Sequence, residues 1–311
     1  MAARIATLKT QRTRTRKPDL GPVVEALRQS REVTHNIRLG GKATEVPASA
    51  VIAEVLEWIV TALFPTHLGP QGLGASGVDQ FVGNLLSTGF TRLTDQVARG
   101  LQFDTQGLST QEAQQRADDI VAQFAGQLPK IRGELVSDLR AAQQRDPTVK
   151  SLSEVLICFR STSAVIHHRL AHALHELGAR LVARMISGLA HASTGIDIHP
   201  GARIGPGFFI SSGTGVVIGE TSVIGENVCL HQGVTLGESE LVEPGAAKLR
   251  SLRHPVIGDN VVIHAGAAVL GRITIGAGSI IGGNVWLTRS IPAGSVVSQA
   301  QHAHSAIQTL D

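Results

Sequence analysis

From Gly195 onward, aliphatic residues recur every six positions, a period that few architectures can satisfy. Ile198, Ile204 and Ile210 form a first run, and Ile218, Ile224, Leu230 and Leu236 a second. Ile257, Ile263, Val269, Ile275, Ile281 and Leu287 form a third. Gly often follows the aliphatic residue, as at Gly205, Gly225 and Gly258, and turn formers such as Asn227, Asn260 and Asn284 come next. If each unit is one short strand and a turn, the aliphatic residue points into a narrow shaft where stacked copies bury one another. Chance alternation in an ordinary β-sandwich does not yield so many hits at one spacing, so a parallel β-helix is expected. The absence of Tyr and an aromatic content of 3% agree with a core of Ile, Val, Leu and Ala.

Two interruptions break the rhythm. Ile210 to Ile218 exceeds one unit, so Ser211 to Val217 must bulge, and Leu236 to Ile257 must contain a loop. Loops on a rigid solenoid are where chemistry usually sits.

Before the repeats the pattern is helical, which makes the fold class α+β. Ser109 with Glu112, and Ser151 with Glu154, read as capping boxes, in which hydroxyl and carboxylate satisfy the free donors of a first helical turn. Leu170, Leu174, Leu177 and Leu181 fall on one helical face, and Pro129 and Pro147 are expected to mark breaks. The domains expected are a basic disordered tail over 1–20, an α-helical domain over 21–192, the β-helix over 193–298 and a C-terminal tail over 299–311.

The formal charge of +3 owes much to Arg4, Lys9, Arg12, Arg14, Arg16 and Lys17, with no acidic residue before Asp19. A solvated tail is favoured there over a nucleic-acid arm or a transit peptide, and no nucleic-acid surface is expected in the near-neutral remainder. Cys158 and Cys229 offer neither a disulfide framework nor a zinc spacing. The apolar stretch from Val51 to Phe64 carries Glu54 and Glu57, so no membrane span is expected, and the two distant cysteines fit a reducing cytoplasm.

One combination of short segments is more specific than the repeats. It comprises Arg145-Asp146-Pro147, His168-Arg169-Leu170-Ala171-His172, Gly195-Ile196-Asp197-Ile198-His199-Pro200-Gly201-Ala202, Gly215-Val216-Val217-Ile218-Gly219-Glu220-Thr221, Gln232-Gly233-Val234-Thr235-Leu236-Gly237 and Arg253-His254-Pro255. Over roughly 141–297 the chain resembles the serine O-acetyltransferase family of hexapeptide-repeat acyltransferases. The resemblance implies a left-handed β-helix, a homotrimer or dimer of trimers with sites between subunits, and transfer of acetyl from acetyl-CoA to L-serine in cysteine biosynthesis. Acetyl-CoA is then a co-substrate, and no tightly bound cofactor or metal is implied.

In the family a His removes the hydroxyl proton while an Asp orients the imidazole. Asp197 matches that carboxylate, and Asp146, Arg253 and His254 match residues that grip the amino-acid acceptor. The chain departs from the pattern at the bulge. Ser212 replaces the family His and Ser211 the family Asp, and a serine hydroxyl cannot serve as an imidazole near neutral pH. Gly237-Glu238-Ser239-Glu240 also replaces a Gly-rich, Lys-containing loop, and the ending Thr309-Leu310-Asp311 replaces the terminal Ile that docks many members into cysteine synthase, leaving that partnership open.

His231 and His264 follow inward aliphatics and should lie outside the coil, where they, together with His199, could act as alternative bases, His231 foremost. Trimer-interface hydrogen bonding is favoured over zinc ligation for these rings. His168, His172 and His175 form a helical stripe, for which packing is favoured over metal binding. Two alternatives stay open beside serine acetylation: a catalytically silent scaffold or regulatory homologue, and an acyltransferase for another small hydroxyl or amine acceptor.

Overall fold

A computed structural model of the chain describes residues 18–37, 45–105, 107–239 and 252–299. The basic tail up to residue 17, the long loop from Glu240 to residue 251 and the C-terminal tail after Gln299 lie outside the described residues. The chain divides into two compact units, Met1–Thr44 and Glu45–Asp311. The first holds α1 (Gly21–Gln29) and a π-helical turn over Ser30–Thr34. The second holds α2 (Ser49–Leu63), α3 (Pro65–Leu68), α4 (Ala75–Asp104), α5 (Thr110–Arg145), α6 (Leu152–Cys158), α7 (Arg160–Glu176) and α8 (Arg180–Thr194), followed by the strands. Among the described residues no helix is long and apolar enough to cross a membrane.

Helix α5 begins with the full capping box expected at Ser109, where Glu112 N–H donates to Ser109 Oγ and the Glu112 carboxylate accepts from Ser109 N–H. At Ser151 only half the box forms, because the Glu154 carboxylate accepts from Lys150 N–H instead. Pro129 does not break the chain as expected. Helix α5 runs through it for 36 residues, with Phe124, Leu128, Ile131 and Leu135 on its buried face. Packing of that face outweighs the lost backbone bond. Pro147 does coincide with an end, since Asp146 before it takes an extended conformation at φ −108°. The leucine face is also divided: Gly178 at φ +97° separates α7 from α8.

The strands wind into three parallel sheets, the helical region thus leading into the expected left-handed β-helix. In chain order they are β1 (Asp197–Ile198), β2 (Arg203–Ile204), β3 (Phe209–Ser211), β4 (Val217–Ile218), β5 (Val223–Ile224), β6 (Cys229–His231) and β7 (Thr235–Gly237). After the loop come β8 (Val256–Ile257), β9 (Val262–Ile263), β10 (Ala268–Leu270), β11 (Thr274–Ile275), β12 (Ile280–Ile281), β13 (Trp286–Leu287) and β14 (Val296–Val297). The first face is β1-β4-β7-β10-β13, the second β2-β5-β8-β11 and the third β3-β6-β9-β12-β14.

Register explains the six-residue period. Ile198, Ile218, Leu236, Val269 and Leu287 stack coil upon coil on the first face, and Ile210, Leu230, Ile263 and Ile281 on the third. Leu230, Leu236, Ile263, Val269, Ile275 and Ile281 are 0% exposed. Each such side chain contributes roughly 1.5–3 kcal/mol by leaving water.

A buried ion pair ties the helices to the first coil. Arg169 on α7 grips Asp138 on α5 with two bonds, Nε to Oδ2 at 2.6 Å and Nη2 to Oδ1 at 2.8 Å. Its remaining donors reach the carbonyls of Ile204 and Gly205 and the carboxylate of Glu134. Asp138 Oδ1 also accepts from Phe208 N–H at 2.8 Å, and Ser137 Oγ from Gly207 N–H at 2.9 Å.

Candidate active site

The bulge expected after Ile210 forms the corner between the third and first faces. Ser212 takes φ +61°, and Gly213 and Gly215 follow at +90° and +78°. A left-handed serine costs of order 1–3 kcal/mol and persists only where its surroundings hold it, a pattern common at functional sites. Here Gly215 N–H donates to Gly195 O at 2.8 Å and Gly233 N–H to Thr214 O at 2.9 Å, clamping the turn between coils. Asp197 starts the first face beside this turn, its N–H donating to Val216 O.

Ser211 ends β3 in register with His231 at the end of β6, one coil further on. The ring of His231 stacks on that of His264, with centroids 4.9 Å apart and planes at 24°. Burial, then the neighbouring His264 and Arg145, hold His231 below the usual histidine pKa. It is therefore neutral, and a proton acceptor, at physiological pH.

Arg253 and His254 occupy a different corner, between the first and second faces. Thr221 N–H donates to His254 Nδ1 at 3.0 Å, so the neutral ring carries its hydrogen on Nε2. Thr221 Oγ1 in turn accepts from the N–H groups of Arg253 and His254, both at 3.0 Å. Arg272 braces the same turn through the carbonyls of Thr221 and His254. The His254 ring lies so close over Gly219 that a Cβ there would fall 2.0 Å from Cδ2. The Arg253 guanidinium pairs with Glu220 at 2.7 Å and Glu238 at 3.2 Å, while its buried Nη1 has no partner among the described residues. Burial alone would raise Glu220, but the Arg253 hydrogen bond and the charges around it outweigh that and hold it below its usual value.

Asp146 caps the end of α5, where its Oδ1 accepts from Thr148 N–H at 2.9 Å and Thr148 O–H at 2.6 Å. These bonds lower its pKa, the hydroxyl contributing more than the amide. The preceding Arg145 donates to Asn227 O, at the corner between the second and third faces.

One chain thus brings Asp197, Ser211, Ser212 and His231 to one corner and Arg253 with His254 to another. Glu220, Thr221, Glu238 and Arg272 complete the second group. The sequence carries Glu220 and Thr221 within the family-like segment but assigns them no role, and Glu238 only departs from the family loop. His199 is removed from the base corner: it sits beside Glu220, accepts from Gly201 N–H at 3.0 Å, and burial followed by Arg184 lowers its pKa to about 4. His168 and His172 stack within α7, with centroids 5.7 Å apart, and His172 Nδ1 contacts the Pro200 carbonyl at 2.8 Å. Among the described residues no group of three or more His, Cys, Asp or Glu is arranged to hold a metal.

Residues 254–289 match the family model described as bacterial transferase hexapeptide (six repeats). A plasmid serine acetyltransferase of Synechococcus elongatus is 45% identical over 305 residues, covering 94% of this chain and 95% of the relative. Among solved structures, serine acetyltransferase isoform 3 of Entamoeba histolytica, in complex with cysteine, superposes with a TM-score of 0.71 at 31% identity, over 93% of this chain and 94% of the other. The Neisseria gonorrhoeae serine acetyltransferase in complex with serine gives a TM-score of 0.52 at 28% identity, over 81% of this chain and 95% of the other. A likeness that runs along nearly the whole of both chains, and not through the repeats alone, means that this chain belongs to the serine acetyltransferase family.

Proposed function

We propose that the chain transfers acetyl from acetyl-CoA to the hydroxyl of L-serine, with acetyl-CoA as co-substrate and no resident cofactor. The observation that supports this most is the Arg253–His254 corner. A buried guanidinium nitrogen without a partner is costly unless a ligand completes it, and an amino-acid carboxylate matches it in charge and geometry. His254, oriented by Thr221, carries its hydrogen on Nε2 at the same corner. Asp146 and Asp197 supply the carboxylates for the substrate ammonium and for orienting the site. Because these groups lie on different corners of one prism, a complete site forms where a corner of one copy meets the next, in a trimer or dimer of trimers. Two free cysteines, one of them exposed, suit a reducing cytoplasm.

The test is release of CoA thiol by the purified full chain with acetyl-CoA and L-serine, set against other small hydroxyl and amine acceptors. Saturable release that depends on serine is expected. Ser212, which stands where the family carries its imidazole, favours a second reading as a silent scaffold. Binding of acetyl-CoA with no release on any acceptor would establish that reading instead.

Gly219→Ala probes the acceptor corner. The new Cβ cannot coexist with the His254 ring, and the displaced ring loses its bond to Thr221. Loss of one oriented hydrogen bond to a charged ligand is worth about 1.5–3 kcal/mol. The KM for serine should therefore rise by about ten-fold or more while acetyl-CoA affinity is kept, as steady-state kinetics with a parallel binding titration would report.

A further inference from the structure

The third-to-first corner has lost an imidazole at one position and carries two at another. Ser212 cannot accept a proton at neutral pH, yet the ladder Ser211, His231, His264 climbs the outside of three successive coils at the same corner. Ser211 and His231 are partners in register, and Leu230 and Ile263, immediately before His231 and His264, are partners in the next ladder. Side chains at matched positions of a parallel ladder project to the same side, about one strand spacing, roughly 4.8 Å, apart. The imidazole of His231 therefore stands next to the place where Ser211 leaves room. Ser211 and His231 are both half-buried, so the ring is neither lost in the core nor fully in water.

We propose that His231 takes the proton from the acceptor hydroxyl in this chain, with His264 as a positioning residue that holds its ring by stacking. The proposal rests on acetyl transfer at this corner. A ring nitrogen of His231 accepts the hydroxyl proton as the oxygen attacks the thioester carbonyl carbon. The tetrahedral intermediate then collapses with cleavage of the C–S bond, and the imidazolium returns the proton to the departing CoA thiolate. An O-acetyl ester and a free thiol result, with no other reactant needed.

Among the described residues, the charged and titratable groups around His231 are few. His264 stacks on it from just after β9, Arg145 approaches from the end of α5, and the buried thiol of Cys229 lies two residues earlier on its own strand. None supplies a negative charge that would hold the ring protonated. A base of this kind works in its neutral form. Activity should be flat above neutrality and fall as pH drops through a pKa below the usual histidine value.

The experiment measures CoA thiol release by the full chain across pH 5–9, with acetyl-CoA affinity titrated in parallel, for wild type, His231→Gln, His231→Asn and His264→Gln. Both His231 variants are expected to lose about 10²–10⁴-fold in kcat while binding acetyl-CoA within about two-fold of wild type, and to lose the acid limb of the profile. His264→Gln should keep most of the rate but move that limb upward, because a neighbour that lowers the His231 pKa is gone. A merely structural role for His264 would leave the limb in place. Wild-type kcat and an unchanged acid limb in both His231 variants overturn the proposal and leave serine acetylation standing. A wild-type chain that binds acetyl-CoA but acetylates no acceptor overturns both.

Discussion

In a His231→Gln background, Ser211→Asp together with Ser212→His is expected to restore most of the acetyl transfer that the His231 change removes, a gain of about 10²–10⁴-fold in kcat. The backbone at 212 already suits the newcomer, since φ +61° lies in the left-handed region, where His is enriched among non-glycine residues. Asp197 begins the strand beside the turn and can orient an imidazole placed there. Ser212→His alone should recover less, because the ammonium of serine gains no carboxylate at 211. In the wild-type background the same pair should add little, since a neutral imidazole already serves the corner. Thiol release at saturating serine, with acetyl-CoA binding measured alongside, decides the matter. A triple variant that binds acetyl-CoA yet turns over no faster than His231→Gln would mean that the acceptor does not sit against Ser212.

The parts of this site that could be read from the chain are those fixed by local period. Ile210 and Ile218 are separated by too many residues for one unit, so a turn had to lie between them, and Ser212, Gly213 and Gly215 form it with positive φ. The parts that could not be read depend on how far coils rise between distant residues. Stacking of His231 on His264 requires the loop after Leu236 to return the chain to the same corner, whatever its length. Likewise, Gly219 reads as an ordinary repeat glycine, and only the return of His254 over it explains why no side chain fits. Pro129 failed as a helix breaker for a similar reason. Its local penalty of ~3 kcal/mol competes with the burial of Phe124, Leu128, Ile131 and Leu135, which local sequence does not weigh.

Arg169→Met should be among the most destabilising single changes in the helical region, at about 3–5 kcal/mol, because it removes one partner of a buried pair. Asp138 would then keep only the Phe208 N–H among the bonds seen here, and the carbonyls of Ile204 and Gly205 would lose the guanidinium that closes the first coil. The side chains of Arg169 and Asp138 are only 4% and 8% exposed, so water cannot easily replace what is lost. Adding Asp138→Leu should recover part of the stability by removing the stranded charge. Recovery should stay incomplete, since Phe208 N–H would in turn lose its acceptor, at about 1–3 kcal/mol. Urea unfolding of the three variants against wild type measures each step. A loss below about 1 kcal/mol for Arg169→Met would show that the helices hold the first coil by apolar packing alone. The distinction bears on catalysis, because Phe208 lies only three residues before Ser211. If the ion pair sets the position of the first coil, Arg169→Met should also slow acetyl transfer at temperatures where the chain remains folded.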